Sequence, residues 1–158
     1  MLAGVLLAGA FGGIALRVAW ATPPKGVTNT LIAGPVVVDV IHVVQEDPNY
    51  GAMIKTRGQS DAVVRSLSIA PGGDTGWHSH PGPVFVLVSA GTGSFYHADD
   101  PTFTPAVCPA GTGFVEAGGD VHIFRNEGDV DLELTVLFLV PLGAPTRIDE
   151  PAPPGAPF

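Results

Sequence analysis

Histidine is the side chain most often used to hold a transition metal, and four of the five histidines of this chain fall within residues 72–126. His78 and His80 lie two residues apart. Successive side chains of a strand alternate, so the two imidazoles point to one face. His122 follows on a second strand-like segment and, in a barrel, meets the first two from across the interior. Three neutral imidazoles converging there would hold a divalent ion. The ligand set does not choose among Zn, Fe, Mn, Ni and Cu. Glu116, six residues before His122, could add a carboxylate, although a Glu ahead of Ala-Gly-Gly also reads as an exposed strand end. Asn126 shares the His122 face of its strand and reads as a site neighbour or as a brace for the adjacent turn. No side chain stands out as a nucleophile or general base, so the catalytic residues are unknown. Cys108, the one cysteine, reads as a small buried apolar residue. His97, beside Asp99 and Asp100, reads as a surface loop residue. Trp77 and Ser79 point away from His78, toward an outer layer or the surface.

The elements that must position these residues are short strands. Apolar or alternating runs cover residues 28–44, 52–56, 62–70, 75–80, 84–89, 93–98, 104–108, 113–116, 122–126 and 132–140, with Gly- and Pro-rich turns between them. Pro71-Gly72-Gly73-Asp74 reads as the loop that closes the third of these segments. No stretch beyond residue 21 sustains a helical period. The 21 glycines and 16 prolines lack a three-residue repeat and fit tight turns in an all-β sandwich or barrel.

Residues 1–16 carry no charge, and Ala19-Trp20-Ala21 fits the small-x-small pattern of a signal-peptidase site. Residues 1–21 are therefore expected to be a signal peptide, with an N-terminal anchor as the competing reading, and the protein is expected in the cell envelope or outside the cell. From Pro141 onward repeated prolines preclude a central strand, so residues 141–158 are expected to run along the surface or to be disordered. Seven basic residues against fifteen acidic ones give a net charge of −8, which argues against nucleic acid and anionic membrane surfaces as partners and leaves a small molecule.

Two segments carry a family resemblance. Gly72, His78, His80 and Gly91 fall in register with the first motif of the cupin superfamily, and Gly111, Gly119, His122 and Asn126 with the second. Two positions depart from the pattern: Val84 stands where the family has Glu, and Ala117 where it has Pro. The resemblance covers about residues 62–140 and is greatest to small, exported, single-domain bacterial cupins. It implies a double-stranded β-helix (jelly-roll) barrel over residues 62–140, preceded by N-terminal strands and loops over 22–61. It also implies a divalent metal held by His78, His80 and His122, with a homodimer as an oligomeric option. With Val84 in place of Glu, the site is expected to carry about one unit more positive charge than its relatives. Two functions are compatible with these residues. One is an exported metal-dependent oxygenase, isomerase or lyase acting on a small molecule. The other is a non-catalytic cupin that binds a small ligand or metal.

Overall fold

The computed structural model describes residues 21–158, so the expected leader over residues 1–21 lies outside the described residues except for Ala21. The described residues form strands and no helix. In chain order these are β1 (Lys25–Val38), β2 (His42–Gln45), β3 (Ala52–Lys55), β4 (Ser60–Asp74), β5 (His78–Ser79) and β6 (Val84–Ala90). They continue with β7 (Thr92–His97), β8 (Ala106–Pro109), β9 (Gly113–Glu116), β10 (His122–Arg125), β11 (Leu132–Pro141) and β12 (Ile148–Asp149). Neighbours in the main sheet run β12-β5-β10-β4-β11-β6-β9, with β1 on β4, β7 on β10 and β8 on β7; every pairing is antiparallel. The sheet rolls into a nearly closed barrel, the double-stranded β-helix that the sequence implied. β2 and β3 pair only with each other.

Alternation drives the closure. On β11, Leu132, Leu134, Val136, Phe138 and Val140 point inward and are buried, and on β6 Val84, Val86 and Val88 do the same. Burying each such side chain contributes about 1.5–3 kcal/mol, so these two adjacent strands anchor the core. Their outward positions keep Phe85, Leu87 and Leu137 partly exposed.

Two details differ from the sequence reading, and a third decides between its alternatives. Pro71–Asp74 is not a closing loop, because β4 runs on through Asp74 with a bulge. Val27 of β1 faces Ile69, and Lys25 faces Asp74. Gly72 takes φ 73°, and a Cβ on Gly73 would lie 2.6 Å from the Lys25 carbonyl oxygen, so glycine is needed for this close approach. The bulged backbone remains bonded to the end of β10: the Gly72 N–H donates to the Asn126 carbonyl, and the Asn126 N–H to that of Gly73, both at 2.9 Å.

The second difference is β5, which is only two residues long. β10 lies on one side, with His122 opposite His78, and β12 on the other, with Ile148 opposite Ser79 and Asp149 opposite His78. The third is the Pro-rich segment that supplies β12. It is ordered along the barrel as an edge strand, where missing N–H groups cost least. The Glu150 N–H donates to the Trp77 carbonyl (3.0 Å), and the Ser79 hydroxyl donates to the Glu150 carboxylate (2.9 Å). Phe158 stacks on Trp77 with ring centroids 6.2 Å apart. Trp77 and Ser79 do point to the outer layer, but this segment leaves both buried rather than at the surface.

Candidate metal centre

β5 and the residue after it carry His78 and His80, while β10 begins with His122. The pairing of His122 with His78 across these strands brings the three rings together. One ligand-capable atom from each lies within 4.8 Å of the others, and all three residues are buried. Each ring is anchored through Nδ1 to a backbone carbonyl: His78 to Gly76 (2.8 Å), His80 to Thr146 (2.7 Å) and His122 to Asp120 (2.9 Å). A carbonyl can only accept, so these bonds assign the proton to Nδ1 and leave a lone pair on each Nε2.

Glu116 joins them. It ends β9 directly opposite Val84 on β6, and its carboxylate lies 3.1 Å from His80 Nε2 and 3.4 Å from His122 Nε2. It is buried, not an exposed strand end. Val84 is itself buried on the inner face, so the position that the family fills with Glu does face the interior. The carboxylate comes instead from its cross-strand neighbour. The extra positive charge expected from Val84 is thereby offset.

This arrangement fits a metal ion. Carboxylate oxygens and Nε2 lone pairs are all acceptors, and they face one another at contact distance, which is favourable with a metal ion or a proton between them. The Nε2 of His122 is buried without a hydrogen-bond partner. A proton is a poor substitute for the metal. Burial, followed by the nearby His122, Arg147 and His80, lowers the His78 pKa to about 2, and burial likewise lowers that of His122. Both rings are held neutral, the form that binds metals.

The inner cavity beside the cluster is about 40 Å³, lined by Val84, Val86, Leu134, Val136 and Phe138 among others. One water needs about 10–15 Å³ of such space, so the cavity has room for an ion and a few waters. Two larger clefts reach the cluster from outside. One, about 270 Å³, is lined by Arg65, His78, His80, Thr146 and Arg147. The other, about 260 Å³, is lined by Phe95, Phe114, Glu116, His122, His97 and Cys108. His97 is therefore more than a loop residue: it ends β7 opposite His122, and its ring lies 4.8 Å from that of Phe95. Burial raises the pKa of the half-buried Cys108, which keeps it a thiol.

Asn126 is not brought to the cluster. Its side-chain amide donates to the carbonyls of Ile69 (2.7 Å) and Val130 (2.8 Å), and its Oδ1 accepts from the Gly128 N–H (3.1 Å), so it braces the turn after β10. Sequence reasoning missed two contributors, Thr146 and Arg147. Both lie in a Pro-rich segment without periodicity, and one of them acts through its backbone.

A nearly closed double-stranded β-helix with a buried histidine cluster at the inner ends of β5 and β10 is the architecture of a cupin. Residues 66–138 match the cupin domain family, so the barrel core is a cupin domain. Among solved structures, the polyketide cyclase RemF from Streptomyces resistomycificus superposes with a TM-score of 0.56 at 14% identity, over 92% of this chain and 85% of that one. A cupin-like protein from Thermotoga maritima gives a TM-score of 0.50 at 21% identity, over 58% of this chain and 65% of that one. A protein with a double-stranded β-helix domain from Klebsiella pneumoniae gives 0.49 at 19% identity, over 72% and 80%. At such identities the likeness is one of fold alone. No curated protein sequence matches the chain.

Proposed function

We propose that the protein is a metal-dependent cupin acting on a small molecule, with one divalent ion held by His78, His80, His122 and Glu116. The observation that carries this reading is the set of three Nδ1–carbonyl bonds, which turn three Nε2 lone pairs toward one buried point beside a carboxylate. When bound, the ion supplies Lewis acidity, polarising a substrate oxygen and lowering the pKa of bound water. The chain does the rest. The carbonyls of Gly76, Thr146 and Asp120 fix the imidazole tautomers. Phe95, stacked on His122 at 4.9 Å, and Phe138, 5.5 Å from His80, exclude water from the cluster. The two outer clefts admit the substrate. An oxygenase, isomerase or lyase reaction fits such a centre.

The test is elemental analysis of untagged protein after metal titration at neutral pH. About one equivalent per chain is expected, lost on His→Ala substitution at position 78, 80 or 122. Uptake no greater than in the substituted proteins would overturn the reading. One observation favours a non-catalytic alternative: Val84, Val86, Phe95 and Phe138, which wall the cluster, carry no acid–base group. Oxygen consumption and turnover over a panel of small substrates separate the two.

We also propose that the chain is exported and cleaved after Ala21. The uncharged run over residues 1–16 followed by Ala19-Trp20-Ala21 supports this reading. A chain beginning at Thr22 would keep both contacts of that residue, its hydroxyl accepting from the Trp77 N–H (2.7 Å) and its nitrogen donating to the Glu150 carbonyl (3.2 Å). Sequencing the amino end of secreted protein should read Thr22 first; an intact residue 1 in the membrane fraction would mean an anchor.

A further inference from the structure

The cleft of about 270 Å³ brings together two arginines that are remote in sequence, Arg65 on β4 and Arg147 just before β12, beside His78 and His80. Both guanidinium groups are only partly satisfied. Arg65 Nη1 donates to Asn29 Oδ1 (3.2 Å), and Arg147 Nε donates to the Asp149 carboxylate. Arg65 Nε and Arg147 Nη2 are buried with no hydrogen-bond partner. An arginine stays charged at any physiological pH, and a buried N–H without an acceptor costs about 1–3 kcal/mol, more on a charged group.

The chain has acids to spare, fifteen against seven basic residues, yet Arg65 makes no ion pair among the described residues. Arg125 shows the ordinary arrangement: it pairs with Asp74 and Glu127 and lies over the Phe158 ring. The position of Arg147 is tied to the cluster, because the preceding residue, Thr146, supplies the carbonyl that holds His80.

We propose that this cleft is a carboxylate subsite. A small organic acid places its carboxylate against the guanidinium groups of Arg65 and Arg147 that line the cleft, with the rest of the molecule against His78 and His80. The volume lies just under the range of about 300–1,000 Å³ usual for drug-sized ligands, which sets the class as small acids. The assignment of this acid as the substrate rests on the metal-centre reading above, but the arginine cradle itself is measured without it.

The experiment is calorimetric titration of propionate and its neutral isostere propionamide into metal-stripped and zinc-loaded protein. The wild type is compared with Arg65→Gln, Arg147→Gln and Arg65→Lys, and zinc stoichiometry is determined on the same samples. Propionate should bind the stripped wild type at least about tenfold more tightly than propionamide, and each Gln variant should abolish that preference. Arg65→Lys, which keeps the charge and loses the fork, should retain part of it. Zinc uptake should be unchanged in all three variants. Equal binding of propionate and propionamide, or a preference that survives both Gln substitutions or is wholly lost in a folded Arg65→Lys protein, would overturn the subsite. A failure of zinc uptake in wild type with the propionate preference intact would sink the metal reading alone.

Discussion

The two sides of the histidine cluster are built differently. His122 opens β10, a strand paired with β7 over four residues and also with β4 and β5, so it belongs to the barrel wall. Glu116 on β9 is likewise held by four register pairs to β6. His78 and His80 have no such wall. β5 is two residues long, and His80 lies just beyond it, fixed by a bond to the Thr146 carbonyl. His78 is held by β10 and by the Gly76 carbonyl as well as by β12, but what fixes His80 is the segment of Thr146 and β12, which falls outside the matched residues 66–138. The comparison separates two jobs that a motif appears to do alone. The motif residues supply the imidazoles, but the chain beyond the motif aims one of the three, that of His80.

The sharpest way to test that division is to remove one ligand from each side. His122→Ala and His80→Ala should each weaken metal binding by about a thousandfold, or about 4 kcal/mol, as expected for one of four ligands. Only His122→Ala should also lower the melting temperature of the metal-stripped protein substantially, since it leaves a void in the barrel wall. Equal melting temperatures would break the comparison. Val84→Glu probes the wall side alone. The family pattern favours Glu there, but with Glu116 directly opposite, a second buried carboxylate should destabilise the stripped protein by about 3 kcal/mol. A melting curve checks this, and tighter metal binding without destabilisation would show that the two acids share the ion.

A smaller effect is expected from the other side. Deleting residues 145–158 removes the Thr146 carbonyl, β12 and the Phe158 ring. Metal affinity should fall about 10–100-fold, the usual cost of losing a group that orients a ligand, and the fluorescence of Trp77 should shift to the red as it meets water. Retained affinity would mean that the motif aims its own histidines.

The last test uses acid. His78 and His122 have pKa values lowered by burial, so below the ordinary 6.5 the unfolded chain takes up protons that the folded chain refuses. Stability therefore falls as pH drops from 6.5 toward the folded value, about 2 for His78. The slope is at most about 1.4 kcal/mol per pH unit for each ring. Denaturant melts of stripped protein between pH 7 and 4 measure it, and the truncated chain, with His78 exposed, should show a shallower slope.

Much of this was legible in the sequence because alternation and spacing are local. His-x-His puts two rings on one face, and the apolar runs of β6 and β11 announce their inner residues. Glu116 could be read two ways, as a carboxylate for the site or as an exposed strand end, because the choice depends on register: nothing near it in sequence says that it lies opposite position 84. Thr146 contributes a carbonyl, which every residue type possesses, so no composition marks it. Arg65 alternates with the apolar face of β4, alongside Val63, Leu67 and Ile69, but what a charge does there is shown only when Arg147 is folded beside it. The bulge at Gly72 and Gly73 was misread for a related reason: glycines that permit close backbone approach look like glycines that make loops.

The place of Thr146 has a consequence in time. A polypeptide is made from its amino end, so all three histidines and Glu116 exist before the residue that orients His80. A nascent chain that has reached Val140 has the barrel strands β1 to β10 and nearly all of β11, yet it lacks the carbonyl at Thr146 and the edge strand β12. If the cluster holds an ion as proposed, its capture at full strength waits until synthesis has passed the last of these side chains and gone on to the segment that locks His80. A chain stalled or clipped before Thr146 would keep its imidazoles while losing the hold on that of His80.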